Sequence, residues 1–322
     1  MADPSNSLSL LPEERSIINA LIYFDLFDHP LSQEELAGLT RNIRSDKRCF
    51  IRHLGNLCST GLIREKDHYY FLEGKEWTVE KRINEEKRVE KFFRIARLAG
   101  HIVAAFPYVR GILVSGSLSK RRAGRDGDID FLVITEKGKL WISRTLLMLF
   151  KKIFLLNSHK YFCLNYFVDV DSLEISNRDR FTATEICTLM PVYNRGLYDR
   201  FLRENGWIME YYPHIPDQSN DLVLRRNVHI LKWIIECALR NRLGDLLDDY
   251  LMKKTLEYRR RKFSNLDDEA FSQSFDTRKN SSTHFPNDFR LKVISEFRTS
   301  QKSFENQHQI YLGQYAESTA IL

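Results

Sequence analysis

The strongest constraint on this chain lies between two apolar, strand-forming runs, Arg110 to Ser115 and Ile129 to Thr135. The first run ends in Gly116-Ser117, a basic loop of ten residues follows, and the second run is entered through Asp128-Ile129-Asp130. Neighbouring strand residues point to opposite faces, so Asp128 and Asp130 share one face while Ile129 and Phe131 turn to the core. Two carboxylates held side by side repel each other unless a cation joins them. A hard divalent ion such as Mg²⁺, or Mn²⁺, suits such a pair, because it takes one or two carboxylates and completes its shell with water and phosphate oxygens.

The other end of the segment fits the same ligand. Gly116 allows a tight turn and close backbone approach, and Ser117 offers an amide and a hydroxyl to phosphate oxygens. The loop adds Lys120, Arg121, Arg122 and Arg125, charges suited to a triphosphate. The plainer alternatives are a solvated basic loop and a hairpin whose aspartates simply face water.

The flanking sequence predicts an α/β unit over residues 95–178. A short helix around Ala99 to Phe106 precedes the first strand; a helix from Leu140 to Leu156 and a strand from Tyr161 to Val170 follow the second. Arg144, Lys151 and Lys152 inside that helix, and its length, argue for a core helix rather than a membrane span.

Here the chain resembles the nucleotidyltransferases of the DNA polymerase β superfamily. Their signature is a strand ending in Gly-Ser, a loop of this length and an Asp-x-Asp strand, matched by Gly116, Ser117, Asp128 and Asp130. The resemblance implies Asp128 and Asp130 as catalytic metal ligands, and a nucleoside triphosphate held by Gly116, Ser117, Lys120 and Arg121. It also implies a third carboxylate on a later strand, which binds the metal and deprotonates the acceptor. The candidate strand offers Asn165, Phe167 and Asp169 on one face. Asp169 fills the third catalytic position if the register slips, whereas Asn165 there would replace an anion by an amide. Phe181-Thr182-Ala183-Thr184-Glu185-Ile186 and Pro191-Val192-Tyr193-Asn194 lie where such enzymes place helices near the nucleotide, although capping and core packing explain them as well.

Residues 1–75 predict a separate unit. Apolar residues from Ile17 to Phe27 mark a first helix, Ser32 with Glu35 forms a capping box for a second, and Ser45 caps a third carrying Phe50, Ile51, Leu54 and Leu57. A hairpin follows from Leu62 to Phe71. That order resembles a winged helix-turn-helix, which implies DNA as a possible partner through Arg41, Arg44, Lys47, Arg48 and Arg52; Asp46, Glu34 and Glu35 dilute the patch, and such units also bind proteins.

Residues 76–94 predict a connecting helix, and residues 179–322 a helical C-terminal domain with one long helix from Asp221 to about Lys262, weakened at Gly244. Its end, Arg259-Arg260-Arg261-Lys262, suits either phosphate or the helix dipole. Ser264 to Asn287 predicts a loop before a last helix, Phe289 to Phe304.

With 49 basic and 43 acidic residues the formal charge is +6, a weak bias towards anionic partners. Five scattered cysteines without metal-ligand spacing predict reduced thiols, and the N-terminus lacks a secretory pattern, which together predict a cytoplasmic protein. Nine histidines without an HxxxH pair give zinc hydrolysis no support. The expected class is thus α+β: a winged unit, a polymerase-β-like core with a small mixed sheet, and helices. The expected function is Mg²⁺-dependent transfer of a nucleoside monophosphate to a small-molecule, protein or RNA acceptor. The alternative is a catalytically weak nucleotide sensor coupled to DNA.

Overall fold

The computed structural model describes residues 10–40, 47–124, 127–155, 162–214, 222–224, 229–275, 277–283 and 289–313. The fold is mixed α+β, with a small antiparallel sheet near the N-terminus and a larger mixed sheet. Ser45, Arg41, Arg44, Asp46 and Arg125 lie outside the described residues.

The N-terminal unit runs α1 (Pro12–Asp25), β1 (Leu31–Ser32), α2 (Gln33–Leu39), α3 (Lys47–Ser59), β2 (Ile63–Lys66) and β3 (Tyr69–Leu72). Its sheet order is β1-β3-β2, all antiparallel. Ser32 Oγ accepts the Glu35 amide at 3.2 Å and Glu35 accepts the Ser32 amide at 2.9 Å, the reciprocal capping that starts α2. Asp67 and His68 both take positive φ, 50° and 67°, which is the turn geometry that a two-residue hairpin needs.

A single helix, α4 (Trp77–Ala104), replaces the predicted connecting helix and the separate short helix that was expected to follow. Its charged first half has no breaker before the apolar second half, so the helical hydrogen bonds run on. It leads into β4 (Val109–Ser115), the single-turn α5 (Gly116–Ser119), β5 (Asp130–Thr135), α6 (Leu140–Phe154) and β6 (Cys163–Asp169). β4 and β5 are antiparallel, with Ser115 opposite Asp130; β5 and β6 are parallel, joined over α6.

The rest of the chain is α7 (Arg180–Cys187), β7 (Met190–Tyr193), α8 (Arg195–Glu204), a 3₁₀ turn (Gly206–Glu210), α9 (Ile230–Ala238), α10 (Arg242–Lys262), α11 (Asp268–Ser274), β8 (Thr277–Arg278), β9 (Ser281–Thr283) and α12 (Phe289–His308). The large sheet has the order β7-β4-β5-β6-β9-β8. Strands from beyond residue 178 therefore flank the central three on both sides, and this region is not a purely helical unit. Pro191 to Tyr193 lie in strand β7 rather than in a helix. The segment expected as a loop over Ser264 to Asn287 holds α11 and the β8–β9 hairpin. Of the predicted helix from Asp221 to Lys262, Asp221 and residues 225–228 lie outside the described residues, residues 222–224 are not helical, and α9 and α10 are separated at Leu239 to Asn241. Gly244, inside α10, accommodates the break: a Cβ there would lie 1.9 Å from the Leu239 carbonyl oxygen.

Both faces of the sheet are covered. Ile112, Val114, Phe131 and Val133 pack with α4 and α6, while Leu113, Leu132 and Ile134 join a core built from α1, α7, α8 and α12. This double cover explains why β4 and β5 read as continuous apolar runs. The last helix returns to the first: the Tyr23 and Phe297 rings lie 5.8 Å apart, and Gln301 donates to Asn19 Oδ1 at 3.0 Å. No helix among the described residues is long and apolar enough to cross a membrane.

Candidate functional site

The antiparallel register of β4 and β5 sets the site. It brings the turn at Gly116 against the first residue of β5, and the fit is tight: a Cβ at position 116 would lie 2.3 Å from Asp130 Oδ2, and Gly116 has a φ of 68°. Both constraints call for glycine at this position.

Asp128, Asp130 and Cys163 gather at one point, each offering a ligand atom within 4.8 Å of the others. Cys163 is opposite Asp130 in the parallel β5–β6 ladder, and two residues on, Asn165 Nδ2 lies 3.3 Å from Asp130 Oδ1. Asp130 shares the sheet face of Leu132 and Ile134 and is half-buried there. Burial and then the neighbouring Asp128 charge push its pKa up to about 6, opposed by the Cys163 thiol and the Lys120 ammonium. Burial, followed by the two aspartates, drives the Cys163 thiol up to about 12. Lys151 of α6 is buried nearby, its pKa lowered by burial while Cys163 and Asp128 pull the other way.

The basic loop is anchored rather than free. Lys120 Nζ donates to the Gly116 carbonyl at 3.0 Å and pairs with Glu185 Oε1 of α7 at 2.8 Å. The guanidinium of Arg121 lies over the Phe93 ring of α4 and 3.9 Å from Glu90, away from the carboxylates. Arg122 approaches Glu85 at 3.7 Å. Two further arginines of α4 hold the loop backbone: Arg82 donates to the Lys120 carbonyl at 3.3 Å and Arg88 to the Ala123 carbonyl at 2.7 Å. Arg82 is also buried against Glu35 of α2 at 2.7 Å and against His29, so one side chain joins the N-terminal unit to the loop.

The structure brings together Gly116, Ser117, Lys120, Asp128 and Asp130, and excludes Asp169. Thr135, not Asp130, is opposite Asp169, which places it at the far end of the ladder, about 17 Å along the strand. There its carboxylate accepts the amides of Asp171 at 3.0 Å and Gly138 at 3.4 Å, a turn-closing arrangement. The β5–β6 register shifts by one residue between Asp130 and Leu132, yet Asp169 stays opposite Thr135, and it is Asn165 that lies beside Asp130. Three residues at the site escaped sequence reasoning. Cys163 is two residues before Asn165, so strand alternation alone would have placed it on the same face. Glu185 lies in the segment expected near the nucleotide, in α7, but was not singled out, and Lys151 had no such signal because it reaches the site through helix packing.

The basic run ending α10 is structural in part: Arg259 is buried and donates to Thr277 Oγ1 at 2.6 Å and Ser282 Oγ at 3.2 Å, which fastens the β8–β9 hairpin. Arg260 pairs with Asp268 at 2.5 Å. The five cysteines are free thiols, and Cys237 alone among them is exposed.

Comparison of the chain with protein-family models, with curated proteins and with solved structures finds no match.

Proposed function

We propose that the chain is a metal-dependent nucleotidyltransferase of the polymerase β type, moving a nucleoside monophosphate from a triphosphate to an acceptor with release of pyrophosphate. The observation that carries this is the packing of the Gly116 turn against Asp130, with Asp128 beside it, on two antiparallel strands. A phosphate chain entering over Gly116 and Ser117 would meet the two carboxylates directly. The donor set fits a divalent cation: two half-buried carboxylates side by side, one of them pushed up to a pKa of about 6 by burial and by its neighbour's charge, a cost that a cation would relieve. Asp128 and Asp130 would hold Mg²⁺ or Mn²⁺, which when bound supplies charge neutralisation at the transferring phosphoryl group.

The protein groups supply position. Gly116 and Ser117 orient the phosphates, Asn165 fixes the Asp130 carboxylate, and α4 holds the loop through Arg82 and Arg88. Lys120 reaches the phosphates by exchanging its Glu185 partner for them. The three helices and antiparallel hairpin of the N-terminal unit support the winged-helix reading, with Lys47, Arg48 and Arg52 on α3 as its DNA-facing candidates.

Asn165 favours a second reading. Without a carboxylate at that position the acceptor proton has no base on β6, and a nucleotide-binding regulator with little turnover becomes the alternative. One experiment separates the two. The chain and its Asp128→Ala/Asp130→Ala variant are incubated with each labelled nucleoside triphosphate, Mg²⁺ or Mn²⁺, and cell extract. Transfer of label by the wild type alone supports the transferase. Metal-dependent nucleotide binding without transfer supports the regulator, and absence of both removes the site from consideration.

A further inference from the structure

α9 is turned inside out. Its two charged residues point into the protein: Lys232 Nζ donates to the carbonyls of Ala104 and Val109, each at 2.8 Å, and the Glu236 carboxylate accepts the Tyr108 amide at 2.6 Å and Arg110 at 2.9 Å. The opposite stripe, Ile230, Trp233, Ile234 and Cys237, follows the i, i+3, i+4, i+7 spacing of a buried helix face, yet all four residues are exposed. Ile230 is 72% exposed and Trp233 63%.

α10 repeats the pattern immediately afterwards. Leu243, Leu246, Leu247 and Tyr250 have the same spacing and are likewise exposed, Leu243 to 72%. The inner side of α10 again carries the fastening contacts: Asp248 accepts the Ile142 amide at 2.9 Å, and Asp245 pairs with Lys139 at 2.6 Å. In both helices buried polar groups fasten the helix while an apolar stripe is left in solvent, although Leu251 and Met252 of α10 also pack against the core.

Summed over the two stripes and Leu231, roughly 1,000 Å² of surface on apolar residues is in solvent, comparable with the roughly 800 Å² that each partner contributes to a stable interface. The members of both stripes are uncharged, while Arg240, Arg242 and Lys254 are exposed beside them, which puts charge at the rim of a contact made through the stripes.

We propose that α9 and α10 form a homodimer interface, two copies of this chain meeting through these stripes about a two-fold axis. Trp233 is its central anchor, and Cys237, on the same stripe, faces the partner. The surface rests on no assumption about nucleotide chemistry.

Sedimentation equilibrium over a concentration series tests this on the full chain. The wild type is expected to have the mass of two chains, and Trp233→Glu with Leu246→Glu to weaken association by about 30-fold or more. Both residues are exposed, so circular dichroism should be unchanged. A short bis-maleimide is expected to link two wild-type chains through Cys237 and to fail with Cys237→Ser. A single-chain mass for the wild type at every concentration overturns the proposal, as does a dimer indifferent to the two substitutions. Co-flotation of a monomeric wild type with anionic lipid vesicles, lost on Trp233→Glu, would overturn it in favour of a membrane surface.

Discussion

Asn165 donates to Asp130 across 3.3 Å, on the strand beside the carboxylate pair where a third acid would complete a metal cage. The amide removes one negative charge from an already crowded site. Asn165→Asp restores it: without metal the variant should lose about 1–2 kcal/mol of stability through added repulsion. With Mn²⁺ it should recover more than the wild type gains. Thermal unfolding with chelator and with Mn²⁺ measures both, and an equal metal response in the two proteins would contradict a metal role for this cluster.

Asp130 gives the site a pH signature. Its folded-state pKa of about 6 exceeds the unfolded carboxylate value of 3.8. Between those values the folded chain binds the extra proton, so its contribution to stability is full at the acid end and falls as pH rises through the window. Asp130→Asn cannot ionise and should be more stable than the wild type above pH 6, by about 1–2 kcal/mol after allowance for partial exposure. The two should converge near pH 4. Urea titrations across that range test the sign.

Gly116 and Gly61 form a matched pair of substitutions. Both have positive φ, 68° and 77°, but only at Gly116 would a Cβ meet another group. Gly61→Ala should cost about 1 kcal/mol from backbone strain alone. Gly116→Ala should cost about 2–3 kcal/mol and displace Asp130, and so reduce metal-dependent stabilisation, which Gly61→Ala leaves intact.

Arg82 is a buried cation serving α2, α4 and the Lys120 carbonyl at once. Arg82→Met leaves Glu35 without its partner and should destabilise the chain by about 3–5 kcal/mol. Hydrogen exchange is expected to rise in residues 120–124 as well as in α2, which separates loss of the link from a purely local effect.

Strand alternation and capping chemistry were readable in the chain itself. The Ser32–Glu35 box, the strands around Gly116 and Asp130, the helix from Leu140 and the hairpin after Gly61 depend on residues close in sequence, where spacing suffices. The strands beyond residue 178 were not legible because β7, β8 and β9 are short and carry no alternation of their own. β7 and β9 become strands by pairing with β4 and β6, which are already buried, and β8 by pairing with β9.

For the site, the order of residues along the chain determined that a flexible turn and a carboxylate pair exist, and that Asp128 and Asp130 share a face. Only the tertiary structure decided what surrounds them. The parallel register of β5 and β6 selected Cys163 and Asn165 and sent Asp169 to the other end of the ladder. Helix packing brought Glu185 to Lys120 and Lys151 close to the cluster. Register and packing are set by long-range burial, which local spacing does not encode.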